Sequence, residues 1–223
     1  MDTVSIIALS MGAAWASGIN LYATVFMLGY MGMTGNITLP AELEVLTNPM
    51  VMTAAGFMYC VEFFADKIPG VDSAWDSIHT FIRIPAGAML ASSAVGDVGP
   101  AMELTSALLG GTLAAGSHTT KAGTRLLINT SPEPFTNWTA SISEDLLVIG
   151  GLWAALYHPV LFIIGLIAFI LLMIWLLPRL WRLLKHIFRR VGSWLGLCEP
   201  PPPLVDKANI QAELNSSNTG IKT

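Results

Sequence analysis

Charge is scarce in this chain. Only 12% of its 223 residues are Asp, Glu, Lys or Arg, whereas an ordinary soluble domain carries about 25%. With 53% hydrophobic residues and a mean hydropathy of +0.62, that deficit excludes a typical soluble domain and indicates an integral membrane protein. Cysteine is nearly absent. Cys60 and Cys198 lie far apart in unlike settings, which excludes a disulfide framework and a cysteine metal site. A basic N-terminal region is also lacking. Asp2 stands where a signal peptide carries positive charge, so the first apolar segment is expected to be retained. Nucleophile elbow, HExxH and Walker-loop motifs do not occur. The seven Trp suit anchoring at membrane interfaces better than catalysis.

What the chain has in plenty is long apolar segments, and six are read as helices. Val4 to Met33 is long for one span and carries Ser17-Gly18-Ile19-Asn20 at its middle. It reads either as a helix broken there or as one tilted continuous helix. Asn48-Pro49 opens the second segment, which runs to Asp66, with Pro suited to a first helical turn. The third spans Asp72 to Val95, where Pro85 and Gly87 can bend it. The fourth, Ala101 to Ile128, holds Gly110, Gly111 and Gly116, small residues that permit close helix contact. The fifth is Trp138 to Tyr157. The sixth follows His158-Pro159 and ends near Leu177. From Leu177 to Leu197, Arg179, Arg182, Lys185, Arg189 and Arg190 alternate with apolar residues, the pattern of a basic amphipathic helix that leaves the membrane or lies along its surface. The expected organisation is one transmembrane helical domain over 1–197 and a disordered tail over 198–223.

Charge placement predicts orientation. The basic residues after the last span put the C-terminus in the cytoplasm. Six spans then place the N-terminus there too. Lys67, Lys121 and Arg125 fall on the cytoplasmic side, while the loops 34–47 and 96–100, which lack Lys and Arg, fall outside. A prokaryotic inner-membrane type of location is expected. The chain also echoes itself. Gly12-Ala-Ala-Trp-Ala-Ser-Gly18-Ile-Asn20 resembles Gly110-Gly-Thr-Leu-Ala-Ala-Gly116-Ser-His118, and Leu46-Thr47-Asn48 resembles Phe135-Thr136-Asn137. Three spans per half make 1–97 and 98–178 two inverted repeats with broken first helices, a transporter plan whose site lies where the halves meet. The competing reading is chance recurrence of Gly and Ala in apolar helices.

The exception to the scarcity of charge is EFFADKIPGVDSAWDSIHTFIR, residues 62–83. Pro69-Gly70 marks a turn within it. Glu62 and Asp66 share one helical face before the turn. Asp72, Asp76, His79 and Arg83 share another after it. In the second half His118, Lys121 and Arg125 also share a face, followed by Glu144 and Asp145. Charge inside a membrane faces protein or water and marks function. The basic trio with Arg83 suits a carboxylate or phosphate, aided by a half-helix N-terminus if the fourth segment breaks near Gly116. The alternative places Lys121 and Arg125 at the cytoplasmic rim. The carboxylates are candidates for ion pairs, proton relay or cation binding. Asp72 and Asp76 also read as rim or helix-start charges. Arg83 lies about 10 Å along the helix from Asp76 at 1.5 Å per residue, which favours pairing with Glu62 or Glu144. His79 reads as a proton gate or as a hydrogen-bonding partner. Asn20 suits a hydrogen bond across helices.

The stretches VEFFADKIPGVDSAWDSIHTFIRIPAGAML, KAGTRLLINTSPEPFTNW, SEDLLVIGGLWAALYHP and WLLPRLWR resemble an uncharacterised family of small prokaryotic-type membrane proteins, domain-of-unknown-function family 4126. The resemblance covers roughly residues 4–190 and implies an integral membrane protein of this size without supplying a reaction. It carries over Glu62, Asp66, Lys67, Asp72, Asp76, His79, Arg83, Lys121, Arg125, Glu133, Glu144 and Asp145. The expected function is a small transporter or flippase for an anionic solute or lipid-linked phosphate. The alternatives are an intramembrane lipid-phosphate enzyme using Asp72, Asp76 and His79, or a non-catalytic membrane scaffold. Membrane lipids and the small anion are the expected partners, and nucleic acid is not. A homo-oligomer is compatible with the sequence. No metal or cofactor is expected.

Overall fold

The computed structural model describes residues 2–68, 70–96, 98–130 and 134–194. Pro69, Asp97, Glu133 and the whole tail from residue 195, Leu197 and Cys198 included, lie outside the described residues. Among the described residues all regular structure is helical. The helices are α1 (Thr3–Met33), α2 (Pro49–Ala65), α3 (Val71–Val95), α4 (Pro100–Ile128), α5 (Pro134–Tyr157) and α6 (Pro159–Trp194), with a 3₁₀ segment Ala41–Thr47 before α2.

Local chemistry fixes the helix starts. Asp2 caps α1, accepting from the Ser5 N–H at 3.1 Å. Asn48 caps α2 through the Met50 N–H at 2.9 Å, with Pro49 in the first turn where its missing N–H is not needed. Gly70 enters α3 with φ +85°, a conformation open to glycine and strained for other residues. Pro85 lies within α3 and Pro178 within α6 without ending either helix. The described part of the basic stretch continues α6 to Trp194.

Among the described residues three helices are long and apolar enough to cross a membrane: Thr3–Met33, Phe135–Tyr157 and Pro159–His186. α2 is apolar but shorter, and α3 and α4 each carry three charged residues. The helices are those of a membrane protein. Large apolar side chains such as Met50, Phe57, Phe64, Phe81 and Leu171 are exposed, while the interior holds a cluster of charges beside its leucines and alanines. An apolar exterior around buried charge suits an apolar solvent.

The chain divides into two compact units, Met1–Leu180 and Trp181–Thr223. In the first, α1 is the central, largely buried helix and packs on α2, α3, α4 and α5. α3 and α4 form the most extensive pair. Trp15 on α1 packs edge-on against Phe162 and Phe169 of α6. In the second unit the described residues are helical to Trp194, with Arg182, Lys185 and Arg189 exposed.

α1 breaks at Asn20, which leaves helical geometry at φ −145° and ψ 98°. Of the two readings of this segment, the broken helix is the observed one. α4, in contrast, runs unbroken through Gly116. No new half-helix N-terminus forms there, because its glycines serve contact instead of a break. A Cβ at Gly110 would overlap Ala91, and one at Gly116 would overlap Met173. α1 and α4 cross at Gly18, where a Cβ would run into Ser117 Oγ and the Ala114 backbone. The Ser117 hydroxyl donates to the Trp15 carbonyl at 3.0 Å across this crossing.

Candidate functional site

The break in α1 frees backbone groups, and their partners define the site. The Ile19 carbonyl, at the C-terminal end of the first half-helix, accepts from Lys121 Nζ at 3.1 Å. A cation suits that negative dipole end. Asn20 then caps the second half, its Oδ1 accepting from the Ala23 N–H at 2.9 Å. Its Nδ2 donates to Asp145 Oδ1 at 3.0 Å.

Around this point the charged faces of α2, α3, α4 and α5 converge. Arg83 Nη2 meets Glu62 Oε1 at 2.5 Å, and its Nη1 meets Asp76 Oδ1 at 3.1 Å. Lys121 Nζ lies 2.9 Å from Asp66 Oδ2 and 3.3 Å from Glu62 Oε1, with Glu144 at 3.6 Å and Asp76 at 3.8 Å. Arg125 holds Glu144 bidentately, Nε to Oε1 at 3.0 Å and Nη2 to Oε2 at 2.7 Å. Its Nη1 donates to the Asp66 and Asn137 carbonyls at 3.0 and 3.2 Å. Glu62, Arg83 and Arg125 have no exposed surface at all, whereas the Glu144 side chain is 16% exposed. Burying so many charges costs several kcal/mol per ion after relaxation, so they persist only because each is paired.

The sequence-derived candidates divide by their partners. Glu62, Asp66, Asp76, Arg83, Lys121, Arg125 and Glu144 form this one network. His118 joins it: Arg83 Nη1 lies 3.2 Å from its Nδ1, and its Nε2 is 2.7 Å from Thr80 Oγ1. Asp72 is outside the ion pairs. It accepts from the Gly70 and Ser73 N–H groups, a helix-start role, and from Asn129 Nδ2 at 2.8 Å. Asn129 in turn accepts from Asn137, whose carbonyl binds Arg125, so two asparagines link Asp72 to the network. Asp145 takes part in none of the described ion pairs and accepts from Asn20. His79 stands apart, between the Tyr22 hydroxyl at 3.0 Å and the Trp75 carbonyl at 2.8 Å.

Three expectations change. Arg83 pairs with Asp76 as well as Glu62, because its side chain leans back toward the helix N-terminus across the distance between them. Glu144 goes to Arg125. The basic trio is a neutralised lattice and not an open cationic pocket, since carboxylates occupy Lys121 and Arg125. Asp72, Asp76 and His79 have three different sets of partners, so no single constellation joins them. Lys67, on the turn after α2, donates to the Phe63 carbonyl at 2.8 Å and lies over the Phe63 ring. Burial pushes its ammonium below the usual lysine range.

Sequence reasoning left out Asn129, Asn137, Tyr22 and Thr80. Asn137 had a signal in its match to Asn48, and Tyr22 in its position beside Asn20. An open apolar groove of about 560 Å³ starts at Ala23, one turn past the break, and runs along α1 to Met31 and Asn36, with Tyr59 and Ile149 on its other sides. Ile149 is one helical turn from Asp145, and Ala23 is the residue that Asn20 caps.

No curated protein and no solved structure matches this chain. A family model does match, over residues 7–179, and the chain thus belongs to the DUF4126 family, whose shared domain is described only as one of unknown function.

Proposed function

We propose that the protein is a small multi-pass membrane transporter or flippase for an anionic solute or lipid-linked phosphate. The observation that carries this reading is the convergence of charged side chains from α2, α3, α4 and α5 on the break in α1. Interrupted helices whose freed backbone ends face a polar site are a recurring transporter device. The arriving anion exchanges with Glu144 for the fork of Arg125, because Glu144 is the network member most open to water. The apolar groove that starts one turn past the break suits a substrate with a hydrocarbon portion, hence the lipid-linked form.

In this reading α1 to α6 are six spans and the halves are inverted repeats. The echoed segments meet each other at the Gly18–Ser117 crossing, as segments near a pseudo-two-fold axis would. Both termini are cytoplasmic, in an inner membrane of prokaryotic type. With Lys121 and Arg125 inside the network, the orientation rests on Lys67 and on the exposed Arg182, Lys185 and Arg189.

The test is uptake by purified protein in proteoliposomes, with inorganic phosphate, a small carboxylate and a short-chain lipid phosphate as probes. Neutralising Arg125 or Lys121 by Arg125→Gln or Lys121→Gln abolishes transport. Transport that survives both changes would falsify the assignment of the site.

A further inference from the structure

Among the described ion pairs, four carboxylates meet three cations. Glu62, Asp66, Asp76 and Glu144 stand against Arg83, Lys121 and Arg125. The neighbouring groups do not supply the missing positive charge. Arginine has only donors, so the His118 Nδ1 facing Arg83 accepts, and that ring is neutral. His79, on α3, takes part in no described ion pair and faces Tyr22 of α1. Lys67 donates to the Phe63 carbonyl and carries its charge near Asp145 and Asp66 without a described ion pair to either. Asp145 accepts from Asn20 beside Tyr59, and Asp72 accepts from Asn129. Those three groups bring one cation and two carboxylates. Arg179 of α6 lies over Trp175.

An uncompensated buried charge is costly, and a carboxyl group escapes that cost by binding a proton. Within the ion-paired network three oxygens are placed for this. Glu62 Oε2, Asp66 Oδ1 and Asp76 Oδ2 are buried and meet no donor among the described residues. Asp145 Oδ2 also meets no donor there, but Asp145 belongs to none of the described ion pairs and its other oxygen accepts from Asn20. Glu144 is different, because Arg125 holds both its oxygens.

We infer that the network holds one exchangeable proton, shared by the carboxyl groups of Glu62, Asp66 and Asp76. The proton adds to a lone pair on one of the three oxygens and turns a carboxylate into a carboxylic acid. On release it passes to water, and the O–H electron pair stays with the carboxylate. A metal cation fits less well, since no three His, Cys, Asp or Glu among the described residues are grouped to hold one. The use of this proton as a coupling ion rests on the transport reading above. Its presence does not.

Infrared spectroscopy of the purified full-length protein tests the inference without any substrate. At neutral pH the protein shows the carbonyl stretch of a protonated carboxylic acid, which shifts in heavy water and disappears as the pH is raised. Glu62→Gln, Asp66→Asn and Asp76→Asn each bring the charges into balance and remove the band. Three variants guard against the misfolding of one. Glu42→Gln, at an exposed position away from the network, leaves the band in place. Lys121→Met leaves a second carboxylate uncompensated and strengthens the band. The inference falls if folded protein shows no such band at any pH, if the band is unchanged in all three amide variants, or if sodium removes it at fixed pH. A band that behaves as described in protein that moves no solute upholds the proton site and overturns only the transport reading.

Discussion

Arg83 of α3 and Glu62 of α2 meet at 2.5 Å with neither side chain exposed. The two residues lie on opposite sides of the turn between these helices, so the contact fixes how the two charged faces close on each other. Arg83 also forks to Asp76 on its own helix and touches His118 on α4. Lys121 then bridges Glu62 to Asp66 and Glu144. One pair thus ties the ends of residues 62–83 into a lattice that the second half of the chain completes.

This arrangement makes the two partners unequal. Arg83→Met leaves Glu62 and Asp76 facing each other with only Lys121 between them, and is expected to destabilise the protein by about 3–5 kcal/mol. Glu62→Gln leaves three carboxylates with three cations and is expected to cost clearly less. The double variant is more stable than Arg83→Met alone. Thermal unfolding in detergent measures all three, and equal losses for the two single variants would contradict the charge count.

The α1–α4 crossing gives a second prediction. Gly18→Val drives a side chain into Ser117 and the Ala114 backbone, and backbone cannot move aside cheaply. Overpacking of this kind costs about 1–3 kcal/mol or more. It also pushes Ile19 away from Lys121, so uptake is lost along with stability. Gly150→Ala on α5 is the control, since a Cβ there meets nothing within 4 Å. Its expected effect on melting temperature is nil or slightly positive, because alanine is the better helix former.

Much of this architecture is legible in residue order, for physical reasons. Asn20 is the one strongly polar residue in α1, and a polar group at such depth must find a partner; it both breaks the helix and caps its second half. The spacing of Asp76 and Arg83 puts them on one helical face, and both are buried. What spacing does not reveal is pairing between helices. Nothing in the sequence sends Glu144 to Arg125 in preference to Arg83, because that choice depends on which rotamers reach across the packed helices. Gly116 shows the same limit: glycine permits both a break and a close contact, and only the presence of Met173 opposite decides for contact. The asparagine link from Asp72 to Arg125 was equally hidden, since Asn129 lies next to a polar turn that accounts for it without tertiary structure.

Arg125→Lys separates charge from geometry. Lysine keeps the positive charge, so the ion balance and the infrared carboxylic acid band are unchanged. It cannot hold both oxygens of Glu144 while donating to the Asp66 and Asn137 carbonyls, which the guanidinium does. Leaving those buried acceptors unmet is expected to cost about 1–3 kcal/mol of stability. Uptake of the anionic probe falls at least roughly tenfold, equivalent to about 1.4 kcal/mol in the barrier. Full uptake by Arg125→Lys would mean that a point charge suffices and that the fork has no part in recognition.

The contact between Asn20 and Asp145 permits an exchange of roles. Asn20 uses its Oδ1 to cap Ala23 and its Nδ2 to satisfy Asp145 Oδ1 at 3.0 Å, while Asp145 Oδ2 meets no donor among the described residues. Asn20→Asp keeps the cap but turns the second contact into a repulsion between two carboxylates. Asp145→Asn keeps the contact region uncharged but leaves two amides to share it. Combining the two restores one carboxylate and one amide, with the carboxylate now capping the second half of α1 and the amide donating from α5. An anionic cap at a helix N-terminus is favourable. Asn20→Asp alone is therefore expected to lower the melting temperature, and the double variant to recover most of the loss. Substituting Ala at Asn20 removes the cap and the bridge together and costs about 0.5–2 kcal/mol for the cap alone. If the double variant melts as low as Asn20→Asp, the two residues are not coupled and α1 breaks for reasons independent of α5.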